Sequence, residues 1–353
     1  MKKLSGLLLT LIVLLGLAAC GSDEGVSTSM VDSPPGTGSQ YAVNPADAKI
    51  AIICEPVGAE QFLLQVTEAA KESSAKYGFE YSVMECPGDD DFMNNARAAV
   101  FEDYTLIIGV GWKSADAISA VAEEYPDKAK YAIIDTLVED LNVTSIKFLM
   151  SEPCYVLGVL EAACFPDEDV YGVVGAFQNQ TTYEQRYGYF EGVKSVNPDA
   201  KFIQNFVGSY TDPATARELA LQQMGQGCKV ICAMAATACN EGILSLAKER
   251  PGELYTSSQE VDWTTEENPY IMSGMLKNTG VVTHWIIDGY FAGDLPAGHQ
   301  TLGLSTGAVG VIHVTTESAN YRPDYVTDEA IALAKEAAEK IISGELVIEV
   351  PQE

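Results

Sequence analysis

The catalytic chemistry open to this chain is narrowed first by its histidines, of which there are only three: His284, His299 and His313. None lies in a His-Glu-x-x-His zinc helix, and none accompanies a Gly-x-Ser-x-Gly turn that would expose a nucleophilic serine. No Walker A loop is present. Cys228, Cys232 and Cys239 suggest a metal, but neither interval is the two-residue gap of a zinc knuckle and no histidine is close by. Asp89-Asp90-Asp91 lacks the later ligands of a calcium loop. It reads as a solvated turn in which Asp91 caps a helix. Gly109-Val110-Gly111 is a dinucleotide fingerprint without its third glycine. Its plainer role is to let a strand turn tightly into a helix, leaving backbone N–H groups facing a cleft. Among fifty acidic residues no local pattern marks a glycosidase pair. The residues point to binding rather than catalysis, with no cofactor and no metal expected.

The amino terminus carries a different chemistry. Lys2 and Lys3 precede an apolar run from Leu7 that ends in Leu17-Ala18-Ala19-Cys20. A basic start, an apolar stretch and small residues before a cut site are the marks of a secretory signal. The run is shorter than the roughly 20 residues of a membrane span. Leu-Ala-Ala-Cys resembles the bacterial lipobox, whose cysteine is diacylated and becomes the mature amino terminus. Residues 1–19 are therefore expected to be removed, and Cys20 to anchor the protein by its acyl chains to the extracytoplasmic face of the cell membrane. Residues 20–46, rich in Gly, Ser, Pro and Asp, read as a flexible tether.

Losing Lys2 and Lys3 moves the formal net charge from −29 to −31. So acidic a surface repels nucleic-acid phosphates, and no nucleic-acid partner is expected. Seven cysteines remain after Cys20, an odd number that cannot all pair internally. Cys54 and Cys232 lie in apolar runs where cysteine behaves as a small buried hydrophobe.

Strand-like and helix-like runs alternate along the rest of the chain. Lys49–Cys54 is continuously apolar, as for a strand covered on both faces. Runs at Phe79–Met84, Tyr104–Ile108, Lys130–Ile134 and Val143–Ile146 alternate with helical stretches. The pattern restarts with a helix near Cys154–Cys164 and strands at Val170–Val174, Lys201–Phe206 and Lys229–Ala233. Repeated βα units predict parallel sheets with helices on both faces, here as two wound lobes around a cleft. Ligands of such sheets sit beyond the carboxyl ends of the strands.

The order of several segments resembles the basic membrane protein family, purine-nucleoside-receptor-like substrate-binding lipoproteins of ABC importers. The matching segments include Leu106–Trp112, Tyr125-Pro126-Asp127 with Ala132–Asp135, Leu157–Ala163, Gly188–Lys194, Val207–Ala214 and Thr301–Leu304. The resemblance implies a type I periplasmic-binding-protein fold, two doubly wound lobes joined by a three-crossover hinge. It places lobe one at 47–145 plus 271–297 and lobe two at 146–270 plus 298–353. It also implies a purine nucleoside as ligand and an ABC permease and ATPase complex as partner. A sugar or signalling ligand on the same fold is the alternative, and a surface hydrolase the rival class.

Site residues follow from the same resemblance. The family's Asp-x-Ser-Phe-Asn motif appears as Ala59-Glu60-Gln61-Phe62-Leu63, keeping only its aromatic; Phe62 is either a stacking ring or core. Asp135 matches a base-contacting carboxylate, with a turn cap as the alternative. Lys277 matches a lysine that holds ribose hydroxyls, or else is a surface charge. Trp112 replaces a phenylalanine and is either a ring platform or loop packing. The family's second stacking aromatic is expected at a position held here by Cys232 or Ala233. The ribose-binding segment becomes Ser257–Trp263, in which Gln259, Asp262 and Trp263 are the candidates, Asp262 and Trp263 standing in for a carboxylate and a ring.

Overall fold

A computed structural model describes residues 42–58, 61–140, 142–317 and 320–351. Cys20 and the expected signal lie outside them. The first winding runs β1 (Lys49–Cys54), α1 (Gln61–Tyr77), β2 (Glu80–Glu85), α2 (Asp89–Phe101), β3 (Leu106–Val110), α3 (Ala115–Glu124), β4 (Lys130–Ile134) and β5 (Val143–Phe148). The second runs α4 (Ser151–Cys164), β6 (Val170–Gly175), α5 (Gln180–Val196), β7 (Lys201–Phe206), α6 (Pro213–Gly225), β8 (Val230–Met234), α7 (Thr237–Glu249) and β9 (Tyr255–Glu260). The chain ends with β10 (Ile271–Lys277), α8 (Thr279–Ala292), β11 (Gly298–Leu302), β12 (Val309–Val311) and α9 (Asp328–Ile342).

These strands form two sheets, ordered β11-β5-β4-β3-β1-β2 and β12-β10-β9-β8-β6-β7. All neighbours are parallel except β12, which runs antiparallel to β10. The apolar runs follow from coverage on both faces. In the first sheet Ile50, Ile52, Leu106 and Ile108 pack with Leu63 and Val66 of α1 and Val282 and Ile286 of α8. Their alternate neighbours Ala51, Ile53, Ile107 and Ile133 pack with Phe92 and Ala96 of α2 and Ile118 and Val121 of α3. Each buried Ile or Val adds about 1.5–3 kcal/mol relative to exposure, so a two-sided sheet favours such runs strongly.

Three expectations need correction. Strand β10 belongs to the second sheet and β11 to the first, so 271–277 and 298–302 sit opposite to the expected lobes. The register shows why: β10 pairs with β9, and β11 pairs with β5 along Gly298–Leu302. Asp89–Asp91 form the first turn of α2 rather than a turn before it, although Asp91 does cap the helix as expected, its Oδ2 accepting from the Gly88 N–H at 2.9 Å. Three carboxylates there suit the positive end of the helix. Finally, the tether expected to reach residue 46 ends earlier. The Ala42 N–H donates to the Phe291 carbonyl at 2.9 Å, and Asn44 caps a short 3-10 helix, Pro45–Asp47.

The chain crosses between sheets after β5, after β10 and after β11. The crossovers are tied to each other. The Leu149 N–H donates to the Leu302 carbonyl at 2.9 Å, and the Asn278 N–H to the Ala308 carbonyl at 2.8 Å. Glu152 Oε2 accepts from the Leu304 N–H at 2.7 Å.

Cys54, Cys86, Cys154, Cys164, Cys228, Cys232 and Cys239 are all unpaired, and all but Cys164 are buried. Burial pushes the Cys54, Cys164 and Cys228 thiols up to about 12.

Helices α4 and α5 approach through glycine. A methyl group on Gly192 would collide with the Tyr155 carbonyl oxygen, and one on Gly188 with that of Ser151. Overpacking so tight a contact costs about 1–3 kcal/mol. Gly192→Ala is expected to lower stability by that amount in a denaturant titration; an unchanged midpoint would refute the close approach.

Candidate functional site

The carboxyl ends of strands from both sheets meet at a cavity of about 390 Å³. Trp112 and Asp135 reach it from the first sheet, just after β3 and β4. From the second come the start of α5, Tyr210 after β7, Met234 and Ala236 around the end of β8, Gln259 and Glu260 closing β9, and Lys277 closing β10.

Lys277 organises the ionic end. Its ammonium lies 2.8 Å from Asp135 Oδ2 and 3.2 Å from Glu260 Oε1, with only 9 % of its side chain exposed. The same nitrogen stands 5.8 Å from the Phe62 ring centre and 5.7 Å from that of Phe148. Burial alone would lower the Lys277 pKa, but attraction to Asp135 and Glu260 outweighs it and holds the group well above its ordinary value. Burial pushes the Asp135 carboxyl up, against the opposing pull of Lys277. The cluster therefore holds one cation between two carboxyl groups, a site suited to hydroxyl groups that donate and accept.

Backbone strain gathers at this rim. Asp135, Ala236 and Glu260 have φ of 65°, 66° and 68°, in the left-handed region that residues other than glycine seldom enter. Such conformations cost about 1–3 kcal/mol each and persist where surrounding structure imposes them. Here each turns the chain sharply at a strand end and leaves the residue at the cavity wall.

The sequence candidates divide. Asp135 and Lys277 are paired, and Trp112 and Gln259 line the cavity with them. Trp112 is 70 % exposed, so its ring is not loop packing. Phe62 is half-buried against the apolar core and approaches the site through Lys277 rather than as a cavity wall. Asp262 closes a turn instead, its Oδ1 accepting from the Thr264 N–H at 3.0 Å and the Thr264 hydroxyl at 2.6 Å. Neither it nor the half-buried Trp263 lines the cavity. Cys232 and Ala233, expected at the second aromatic position, are buried inside β8. The aromatic at that side is Tyr210, 52 % exposed and packed edge-on against Phe177 at 4.7 Å.

Glu260, Tyr210 and Gln185 of α5 were not anticipated. Glu260 had a signal, since it ends a strand as an acidic residue just where Asp135 follows one. Tyr210 lies in the Val207–Ala214 segment already matched to the family.

Residues 57–352 match the family model Bmp, described as ABC transporter substrate-binding protein, PnrA-like. The chain belongs to the Bmp family. It is similar to the ABC transporter nucleoside-binding protein BmpA of Lactococcus lactis subsp. cremoris, at 28 % identity over 301 residues, covering 79 % of this chain and 80 % of that protein. An uncharacterized lipoprotein of Pyrococcus furiosus is 22 % identical over 324 residues, covering 80 % of each. Among solved structures, an ABC transporter solute-binding protein from Aeropyrum pernix superposes with a TM-score of 0.69 at 21 % identity, over 87 % of this chain and 94 % of that one. The fold of this Bmp protein is thus that of periplasmic binding proteins, and its class is ABC transporter substrate-binding protein, with a small-molecule ligand and a transporter partner.

Removing the Lys277 ammonium would leave two carboxylates facing one another. Breaking a fully buried pair costs about 3–5 kcal/mol; with Asp135 28 % and Glu260 20 % exposed, the penalty is discounted to about 1–3 kcal/mol. Lys277→Met should lose that much stability at pH 8. It should lose less at pH 5, because burial already pushes the Asp135 carboxyl up, and without the Lys277 charge it takes up a proton more readily and the repulsion eases. The wild type should not show this trend from Lys277 itself. A pKa raised on folding gives stability that is complete below the unfolded value of about 10.4 and fades only above it. Equal destabilisation at both pH values, by urea titration, would contradict the assignment.

Proposed function

We propose that this protein captures a purine nucleoside between its lobes and delivers it to an ABC permease and ATPase complex. The observation that carries the reading is the Asp135–Lys277–Glu260 cluster, set in a cavity that two exposed rings, Trp112 and Tyr210, also line. A ribose offers adjacent hydroxyls that can each donate to a carboxylate and accept from the ammonium. A flat base offers apolar faces to the rings. The name of the Lactococcus relative, a nucleoside-binding protein, supports the same class.

Contacts from both sheets to one ligand would favour the closed arrangement over the open one. A sugar would use the ionic end equally well but would give the rings less flat surface. We further propose that Cys20 is lipidated and tethers the protein to the cell membrane, a reading supported by Leu17-Ala18-Ala19-Cys20 and by the lipoprotein name of the Pyrococcus relative. No helix among the described residues is long and apolar enough to cross a membrane.

Calorimetry against nucleosides, free bases and sugars tests the ligand. Nucleosides should bind, and at one hundred times the dissociation constant should stabilise the protein by about 2.7 kcal/mol. Lys277→Met should weaken binding at least about tenfold, the scale of one lost charged hydrogen bond. Binding of a sugar with no response to any nucleoside would overturn the ligand while leaving the receptor class intact. For the anchor, cells fed labelled palmitate should label the wild type and not Cys20→Ala.

A further inference from the structure

The cavity's polar groups are of two kinds, charged and neutral. Its carboxylates, Asp135 and Glu260, stand at the Lys277 end. The end formed by Gln259 and the start of α5 carries neutral groups, and Gln259 among them is left only a donor to offer. Gln259 is only 7 % exposed, and its Oε1 is occupied twice, by the Ala236 N–H at 3.0 Å and by Asn240 Nδ2 at 3.1 Å. Asn240 is itself fixed. Its Oδ1 accepts from the Ala235 N–H at 2.9 Å, and its Nδ2 also reaches the Ala233 carbonyl at 3.3 Å. A glutamine amide has one oxygen and one NH2 group. With the oxygen held by two donors, Gln259 has only its NH2 to offer, and that group has no partner among the described residues.

Gln185, in the second turn of α5, is 3 % exposed and lines the same cavity. Its amide also has no partner among the described residues. The start of α5 adds backbone N–H groups, since the first turn of a helix lacks internal acceptors; of these the Thr182 N–H is already taken by Asn179 Oδ1 at 3.0 Å.

We propose that this end reads a carbonyl on the ligand's ring, so that the preferred ligand is a 6-oxopurine nucleoside rather than a 6-aminopurine nucleoside. The inference rests on the nucleoside reading above and deepens it. Gln185 cannot discriminate alone, because a free amide pairs with either edge by turning over. Gln259 cannot turn over without stranding the Ala236 N–H and Asn240. An exocyclic amino group placed against it would set donor against donor in a desolvated site. Discrimination is greatest where a buried polar group is left unpaired.

Titration calorimetry of the full-length protein in detergent, with inosine, guanosine and adenosine, tests this. Inosine and guanosine should bind at least about tenfold tighter than adenosine. Gln259→Glu keeps the oxygen that Ala236 and Asn240 hold and replaces the NH2 with a second acceptor; it should erase or reverse the ratio. Gln185→Met should weaken all three by similar factors and leave the ratio in place. Adenosine binding as tightly as inosine to the wild type overturns the inference and leaves the nucleoside reading standing. So does a ratio that survives Gln259→Glu. Absence of binding by every nucleoside overturns both. The wild-type ratio decides the matter even if a variant fails to fold.

Discussion

One buried ammonium ties the architecture to the site. Lys277 is the last residue of β10, and the next residue begins the crossover into α8. Its partners come from different sheets, Asp135 from the end of β4 and Glu260 from the end of β9. A lysine with so little exposure is tolerable only with its charge compensated, and here the compensation spans the two lobes. The cavity, the hinge and the ion cluster are therefore one arrangement seen from three sides.

The left-handed turns at Asp135, Ala236 and Glu260 belong to that arrangement. Each lies where a strand ends at the rim; β8 leads into α7, whereas β4 and β9 lead through loops to β5 and β10, and each turn leaves its residue at the cavity wall. Local strain at three such points is held by the packed sheets behind them, in which β4, β8 and β9 are central and buried strands. Beside them the crossovers are tied to one another by the hydrogen bonds of Leu149, Asn278 and Glu152.

Much of the framework was legible because two-sided burial writes itself as continuous apolar runs. Lys49–Cys54 and Lys130–Ile134 are strands with the boundaries the runs suggest. The sheet membership of β10 and β11 was not legible: an apolar run reports that a strand is covered, not which neighbour it pairs with. The site was legible where residues sat in recognisable segments, as with Asp135 and Lys277. Along Ser257–Trp263 Gln259 lines the cavity but Asp262 and Trp263 do not, because β9 ends at Glu260, whose φ of 68° turns the chain away before they are reached. Asp262 thus went to a turn and Glu260 to the cavity. Gln185 gave no signal, because a glutamine in a helix reads as solvated surface until the packing around it is known.

The unpaired thiols have a consequence of their own. Disulfide exchange proceeds through the thiolate, and burial has moved Cys54, Cys164 and Cys228 far from ionising near neutral pH. The folded molecule is thereby guarded against oxidative cross-linking by its own interior instead of by paired sulfurs. An opened or partly folded chain loses that shelter, since its cysteines regain ordinary acidity and can meet one another. Resistance to oxidants and resistance to unfolding are, for this protein, a single property.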